Sequence, residues 1–237
     1  LMNLLELIQE FTTRTGIPKP TYVIGSTDPQ VLQLLSLLNE VIEELMEKDW
    51  TALTQEATFV TTAAEDQGAV ATLAPNGFKW VLQETIFNRT LRLPIFGPIV
   101  AAKWQALKTL PNAGPFYKYR IVRGRLLFNP PAAAGHTCAF EYASKYCILA
   151  VDGTTYKGYP SADDDTFLLD DTLFLAGLRW KWKYEKGLDY AEEFRRYEEL
   201  VNNAKGRDGT KPALSMDGGG DQFKPGIFVP SGNWSLP

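Results

Sequence analysis

The C-terminal stretch Gly209–Pro237 constrains the architecture of this chain more than any other part of its sequence. It contains four prolines and six glycines, and its residues follow neither a helical nor a strand period. A segment of this composition does not build a core of its own. It nevertheless carries large apolar side chains, namely Phe223, Ile227, Phe228, Val229 and Trp234. Such side chains need a surface supplied by something else, so the stretch predicts an extended arm in an assembly.

The composition allows a substantial core and limits the function classes. Hydrophobic residues make up 45% of the 237 residues, and no apolar run is long enough to predict a transmembrane helix. The start, Leu1–Phe11, lacks the basic region and cleavage site of a secretory signal. Cys138 and Cys147 are expected as reduced, buried thiols. A net charge of −4 argues against tight binding to nucleic acid but lets a duplex slide past.

Apolar periodicity predicts two helices in the N-terminal part of the chain. The first covers Met2–Thr15 and ends at Gly16. The second begins with Asp28 as N-cap and Pro29 as first helical residue, and it ends near Asp49–Trp50. Its apolar stripe is wide, so we expect it to contact more than one neighbour.

Two further helices are predicted near the other end. One begins at Asp170–Asp171 and is closed by Gly187. For the other, Asp189 with Glu192 predicts an N-terminal capping box, and Gly206 marks its end. The helix pairs therefore flank the middle of the chain on both sides.

The middle of the chain is rich in β-branched and aromatic residues and in Pro and Gly punctuation, which is typical of a small β-rich module. A tight hairpin is predicted at Arg123–Gly124, and a short helix at Pro98–Leu110. Cys138, Phe140 and Tyr142 are expected on one face of their strand. The predicted strands are Ala57–Thr62, Lys79–Phe87, Lys118–Pro130 and Thr137–Tyr146.

These elements predict an α+β fold in which the two ends of the chain meet. Four helices can bury their apolar faces together only if the termini return to one bundle. The expected domains are a helical bundle from residues 1–55 and 165–208, a β-rich insertion with a short helix at 56–164, and an extended C-terminal arm at 209–237.

The inventory of chemical groups does not favour an enzyme, and we predict no catalytic, cofactor-binding or metal-binding residue. His136 is the only histidine, so a histidine-based metal site is excluded. The acidic run Asp163–Asp165, with Asp170 and Asp171, leaves a metal-dependent hydrolase as an alternative. The run lacks the ligand spacing of an EF-hand loop, and we interpret it as a solvated loop leading into a helix N-terminus.

The segment Arg179–Lys186 alternates cations with aromatic residues. This pattern leaves a DNA-binding module as a second alternative, since such residues stack on bases and neutralise phosphates. On a helix, however, Trp180 and Tyr184 share one face and can pack inward. The cations on the other face, Arg179, Lys183 and Lys186, are then candidates for a contact with an acidic patch on a neighbouring subunit.

The order of these elements resembles the head-to-tail connector adaptor proteins of short-tailed bacteriophages, also called tail tubular protein A or tail accessory factors. Each matching stretch is weakly specific, and their order carries the resemblance, which covers about residues 2–211. No catalytic motif exists in that family to be carried over. The matching stretches are Met2–Phe11, Glu44–Leu53, Ala57–Thr62, Gly114–Ser144 and Asp163–Val201.

The resemblance implies a structural virion protein, assembled in the host cytoplasm, at the junction of head and tail. It implies a ring of twelve copies beneath the portal protein that extends the DNA ejection channel and offers a platform for the tail nozzle or other tail proteins. DNA would pass without sequence-specific binding, and no membrane would be involved.

The resemblance also implies that C-terminal arms reach into the portal, which agrees with the composition of Gly209–Pro237. We expect the arm to anchor on the portal or on a neighbouring subunit through apolar side chains, because aromatic residues dominate interface energetics. The predicted anchors are Phe223, Ile227, Phe228 and Trp234.

Overall fold

The computed structural model describes residues 1–109 and 116–209. The helices in these ranges are α1 (Leu4–Thr15), α2 (Pro29–Glu47), α3 (Val70–Leu73), α4 (Ala101–Thr109), α5 (Asp171–Glu185) and α6 (Ala191–Asp208), with a 3-10 turn at Thr51–Leu53. The strands are β1 (Thr54–Val60), β2 (Asp66–Ala69), β3 (Phe78–Val81), β4 (Phe87–Asn88), β5 (Leu93–Pro94), β6 (Lys118–Val122), β7 (Arg125–Asn129), β8 (Thr137–Ser144), β9 (Ile148–Leu149), β10 (Tyr156–Lys157) and β11 (Thr166–Phe167). None of the helices in the described ranges is long and apolar enough to cross a membrane.

Local capping explains where the N-terminal helices begin, and it confirms both predictions. Asn3 and Glu6 form a capping box at the start of α1, and Gly16 ends this helix with a positive φ of 71°. The Asp28 side chain accepts the backbone N–H of Gln30, and proline occupies the first position of α2. Both boundaries therefore follow from local sequence.

The start of helix α6 departs from the prediction. Tyr190 occupies its N-cap position without a side-chain cap. Asp189 accepts only the N–H of Ala191, and Glu192 pairs with Arg195 on the helix surface instead of reaching back. The predicted capping box is therefore wrong, because an ion pair within α6 holds the side chain that would complete it.

The strand predicted at Lys79–Phe87 is also broken. Glu84 has a φ of 62°, which a residue in a regular strand does not adopt. Thr85 donates its hydroxyl to the Leu82 carbonyl across the resulting turn. The segment consequently forms two short strands, β3 and β4, both of which pair with β8.

Strand β8 organises the largest sheet, in which all strand pairs are antiparallel. The sheet has five strands in the order β1-β8-β4-β5, with β3 also paired to β8. Cys138, Phe140 and Tyr142 are all buried along β8, as their alternation predicts. Two smaller sheets, β2-β7-β6 and β10-β9-β11, complete the β structure.

Most of the buried apolar side chains belong to two hydrophobic clusters. The first, the helical cluster, draws on α1, α2, α5 and α6, and it also contains Cys147, Ile148 and Phe167. The second, the β cluster, contains side chains such as Phe59, Phe128 and Phe140. The mixed α+β class is thereby confirmed, whereas the arrangement of the helices as one bundle stays a prediction.

A lysine of the β structure binds the C-terminal end of α2. Lys79, in β3, donates its ammonium to the carbonyl of Met46 at 2.7 Å and to those of Glu47 and Lys48 at 3.3 and 3.2 Å. These carbonyls lack partners within the helix, and the negative end of its dipole favours a cation. The contact therefore fixes β3 against the end of α2.

Helices α2 and α5 approach closely at Gly177. A Cβ placed on this residue would lie 2.5 Å from Cγ1 of Val41 and 3.1 Å from the ring of Tyr197. Non-bonded carbon atoms do not approach to 2.5 Å, so packing requires a glycine here. Gly206, in α6, has open space around it.

We expect Gly177→Ala to lower the free energy of unfolding by about 1 kcal/mol. Overpacking a core costs ~1–3 kcal/mol, and the better helix propensity of alanine returns at most ~1 kcal/mol. Gly206→Ala is the matched control, and it should raise stability because it gains the propensity without a clash. Urea denaturation of the full chain measures both, and a stabilised Gly177→Ala protein would refute the packing argument.

Candidate interaction surfaces

The predicted arm anchors Phe223, Ile227, Phe228 and Trp234 lie outside the described residues. Their role therefore stays a prediction. The cations predicted as a basic inter-subunit face lie in the described part of α5 or directly after it, so their surroundings can be stated.

Those cations are engaged within the chain. The Lys183 ammonium donates to the Glu193 carboxylate of α6, and the guanidinium of Arg179 lies 3.7 Å from the same carboxylate. The hydrogen bond from Lys183 keeps the pKa of Glu193 below its usual value. Lys186 donates to the side-chain oxygen of Gln33 at 2.8 Å. These contacts join α5 to α6 and to α2, and a role at a subunit interface stays a prediction.

A fourth cation of the same helix, Lys181, was not expected in the interior. Its side chain is buried, with its ammonium 2.6 Å from Glu44 and 3.3 Å from Glu40 and 4.7 Å from the ring centre of Trp180. Its spacing from Phe174 and Leu178 continues the buried face of α5, and this spacing is the signal that could have identified it. The pairing leaves less positive charge for a nucleic acid than the sequence pattern suggests.

The acidic cluster acts on the backbone around it. Asp163 accepts the N–H groups of Val23 and Ile24, the latter at 2.8 Å. Asp170 caps α5 through the N–H of Thr172, and Asp171 accepts the N–H of Met2. Across residues 1–109 and 116–209, no group of three or more potential ligands is placed to hold a metal ion. The geometry favours a structural loop over the hydrolase alternative, but the prediction that the run is solvated is wrong for Asp165, which is 1% exposed.

Asp165 is the most buried carboxylate of this cluster. Its oxygens accept from Lys157 at 2.8 and 2.9 Å and from the backbone N–H groups of Ser161 and Ala162. Burial raises the pKa of Asp165, but the bonds from Lys157 and the two amides outweigh it and keep the pKa below its usual value. The carbonyl of Asp165 also accepts the N–H of Leu4 at the start of α1.

We expect Asp165→Asn to lower the free energy of unfolding by about 2 kcal/mol at neutral pH, since it weakens hydrogen bonds to a charged carboxylate. A folded-state pKa below the usual value contributes stability above about pH 4, which is lost as the pH falls further. The difference between wild type and variant should therefore shrink between pH 7 and pH 3 in urea denaturation. The exposed neighbour variant Asp164→Asn should behave like wild type, and a difference unaffected by pH would contradict the pairing.

Apolar residues, most of them aromatic, form one candidate interface where α5 turns into α6, and all of them except the half-buried Trp180 are exposed. We call this surface the aromatic corner, and it comprises Trp180, Tyr184, Leu188, Tyr190 and Phe194. The ring of Trp180 lies 5.1 Å from that of Phe194, and those of Tyr184 and Tyr190 are 5.2 Å apart. Tyr184 is 55% exposed, so the prediction that it packs inward is wrong. The rings of Phe194 and Tyr197 in α6 pack against Trp180 instead.

A second candidate interface lies on the β structure. It is a groove of about 490 Å³ between β3, β6 and the start of α4, called here the β-module groove. Both charged residues that line it, Lys79 and Arg120, are cations. The apolar residues that line it include Phe78, Trp80, Pro98, Ile99, Val100 and Ile121.

Comparison with known protein families gives a match that covers nearly the whole chain. The model of the family described as SU10 adaptor protein matches residues 2–216. No curated protein matches the chain. The matched range includes every helix and strand of the described residues, and it ends before the first predicted arm anchor, Phe223.

Proposed function

Since this chain belongs to the SU10 adaptor protein family, we propose that it forms a ring that joins the portal at the capsid vertex to the tail. Membership confirms the predicted resemblance to phage head-to-tail adaptor proteins and makes the chain a structural component of a virion. The family match over nearly the entire chain is the observation that carries the proposal. Assembly would take place in the host cytoplasm.

We propose that the chain is organised as a helical bundle, from residues 1–55 and 165–208, with the β-rich region 56–164 projecting from it and the arm 209–237 beyond it. The helical cluster supports this division, because it unites apolar residues of α1, α2, α5 and α6. Cys147 and Ile148 extend the same cluster into the β-rich range, and Lys79 fixes β3 to the end of α2. The two parts would therefore move as one unit in the ring.

The arm would supply attachment to the portal. An extended segment that orders on binding loses conformational entropy, so each arm alone binds weakly. Copies held in one ring, twelve in the proposed assembly, bind together and offset that loss through multivalency. Aromatic anchors such as Phe228 and Trp234 would fill apolar pockets of the portal, and the body of the ring would receive the tail nozzle or other tail proteins.

The ring would extend the channel through which the genome leaves the capsid. A net charge of −4 disfavours adhesion to the phosphate backbone, which lets DNA pass without sequence-specific binding. The engagement of Lys181 with Glu40 and Glu44 supports the same conclusion, because it neutralises a cation of the helix that resembles a nucleic-acid site.

We expect full-length protein, mixed with portal rings of the same phage, to add a second ring on one end of the portal in negative-stain images. Truncation after Asp208 should abolish this decoration while the remainder stays folded. The triple variant Phe223→Ser, Phe228→Ser and Trp234→Ser should reduce it in the same way, because it removes the anchors and keeps the length of the arm.

A matched control changes polar residues of the same arm, Gln222→Ser and Asn233→Ser, and should decorate portals like wild type. Bare portals at high concentrations of wild-type protein would overturn the adaptor proposal. Normal decoration by the truncated protein would overturn the role of the arm alone.

A further inference from the structure

The two exposed apolar surfaces lie at opposite ends of α2. The aromatic corner is tied to the beginning of this helix, where Lys186 bonds to Gln33. The β-module groove is tied to its other end, where Lys79 bonds to the carbonyl of Met46. A helix rises 1.5 Å per residue, so the stretch from Gln33 to Met46 separates the two surfaces by roughly 20 Å.

Each surface exposes large apolar side chains of the kind found in protein interfaces. At the aromatic corner, Tyr184 is 55% exposed and Leu188 is 48% exposed, and at the groove Val100 is 64% exposed. Contiguous apolar surface of this kind marks sites of protein association, and tyrosine and tryptophan are enriched where binding energy concentrates. The separation along α2 prevents one chain from covering its own groove with its own corner.

The charges around the two surfaces are complementary. Glu185, Asp189 and Glu198 are exposed on the elements that carry the corner, where the ammonium of Lys186 bonds to a neutral amide. The neighbouring cations Arg179, Lys181, Lys183 and Arg195 are paired with carboxylates of Glu193, Glu40, Glu44, Glu192 and Glu199. Lys186 and Arg196 then face the three exposed carboxylates, which leaves the corner with an excess of negative charge.

The groove has the opposite sign. It is lined by Lys79 and Arg120, and Lys118 shares the strand face of Arg120 by the two-residue period of a strand. Two carboxylates lie near these cations. Asp49 is 3.4 Å from the Lys79 ammonium, and Glu84 adds to the effect of burial in raising the pKa of Tyr119 to about 12. The three cations outnumber them. A second copy of this chain therefore offers each surface a partner of matching polarity and opposite charge.

We propose that the aromatic corner of one copy docks into the β-module groove of the next copy, which makes a head-to-tail contact. Contacts of this type use two different patches and close into rings when the rotation between subunits allows it. Contact between two corners would instead place like charges together, which disfavours it. The inference deepens the proposed ring, on which it rests, by naming the surfaces that join its subunits.

Cysteine cross-linking of the full chain tests this contact. The double variant Tyr184→Cys and Val100→Cys is treated with a flexible bismaleimide, both on portal rings and in concentrated solution, and the products are separated in denaturing gels. We expect a ladder of covalent oligomers. Cys138 and Cys147 do not interfere, because both are fully buried and burial raises the pKa of their thiols to about 11 and about 12.

The control pair Tyr22→Cys and Val151→Cys matches the test pair in residue type and is equally exposed, at 51% and 79%, but lies on neither surface. It should give no ladder. Each single variant, Tyr184→Cys or Val100→Cys, should remain monomeric, and an equimolar mixture of the two should stop at a covalent dimer. Thermal unfolding of every variant near the wild-type temperature shows that the fold is kept.

Loss of the ladder under both conditions would overturn the proposed contact, and so would dimers formed by Tyr184→Cys alone, which indicate that corners pair with each other. Portal decoration without a ladder would support the adaptor function and contradict this contact. A ladder in solution without portal decoration would support the contact and contradict the adaptor function.

Discussion

The close approach of α2 and α5 at Gly177 is the constraint on which the rest of the structure depends. Helix α5 contacts α1, α2 and α6, so its distance from α2 fixes the positions of the other two. Only a residue without a side chain allows Val41 and Tyr197 to meet α5 at this point. A larger residue would force the Val41 side chain or the helices themselves to shift at this point.

Charged side chains join secondary-structure elements at places where apolar packing does not. Asp163 binds the loop at Val23, Lys181 joins α5 to α2, and Lys79 joins β3 to the end of α2. Asp163 and Lys181 belong to stretches whose composition suggests chemistry, namely an acidic run and a basic aromatic helix, and Lys79 lies in a strand. Their partners are backbone amides, carboxylates and carbonyls, which shows how a chain can be rich in charged groups that serve architecture.

Local signals predicted most of the helices and failed where distant residues decide. The start of α2 could be predicted, because Asp28 and Pro29 act on adjacent backbone and the apolar stripe continues without interruption. The break at Glu84 could not, since β8 pairs with the segments on both sides of the turn. The aromatic corner was missed for a similar reason: Tyr184 follows Trp180 on one helical face, but α6 covers only the latter well.

The two proposed contacts, the arm on the portal and the aromatic corner in the β-module groove, would differ in stiffness and therefore in their role in assembly. An arm that orders on docking adapts to its partner and adds affinity, but a segment of this composition does not set an angle between subunits. A contact between the aromatic corner and the β-module groove does set one, because both surfaces are attached to the ends of the same helix, whose length is fixed by its hydrogen bonds. The curvature of the ring would then be set by α2 and the two lysines at its ends, Lys186 and Lys79, and the arms would determine only where the ring attaches.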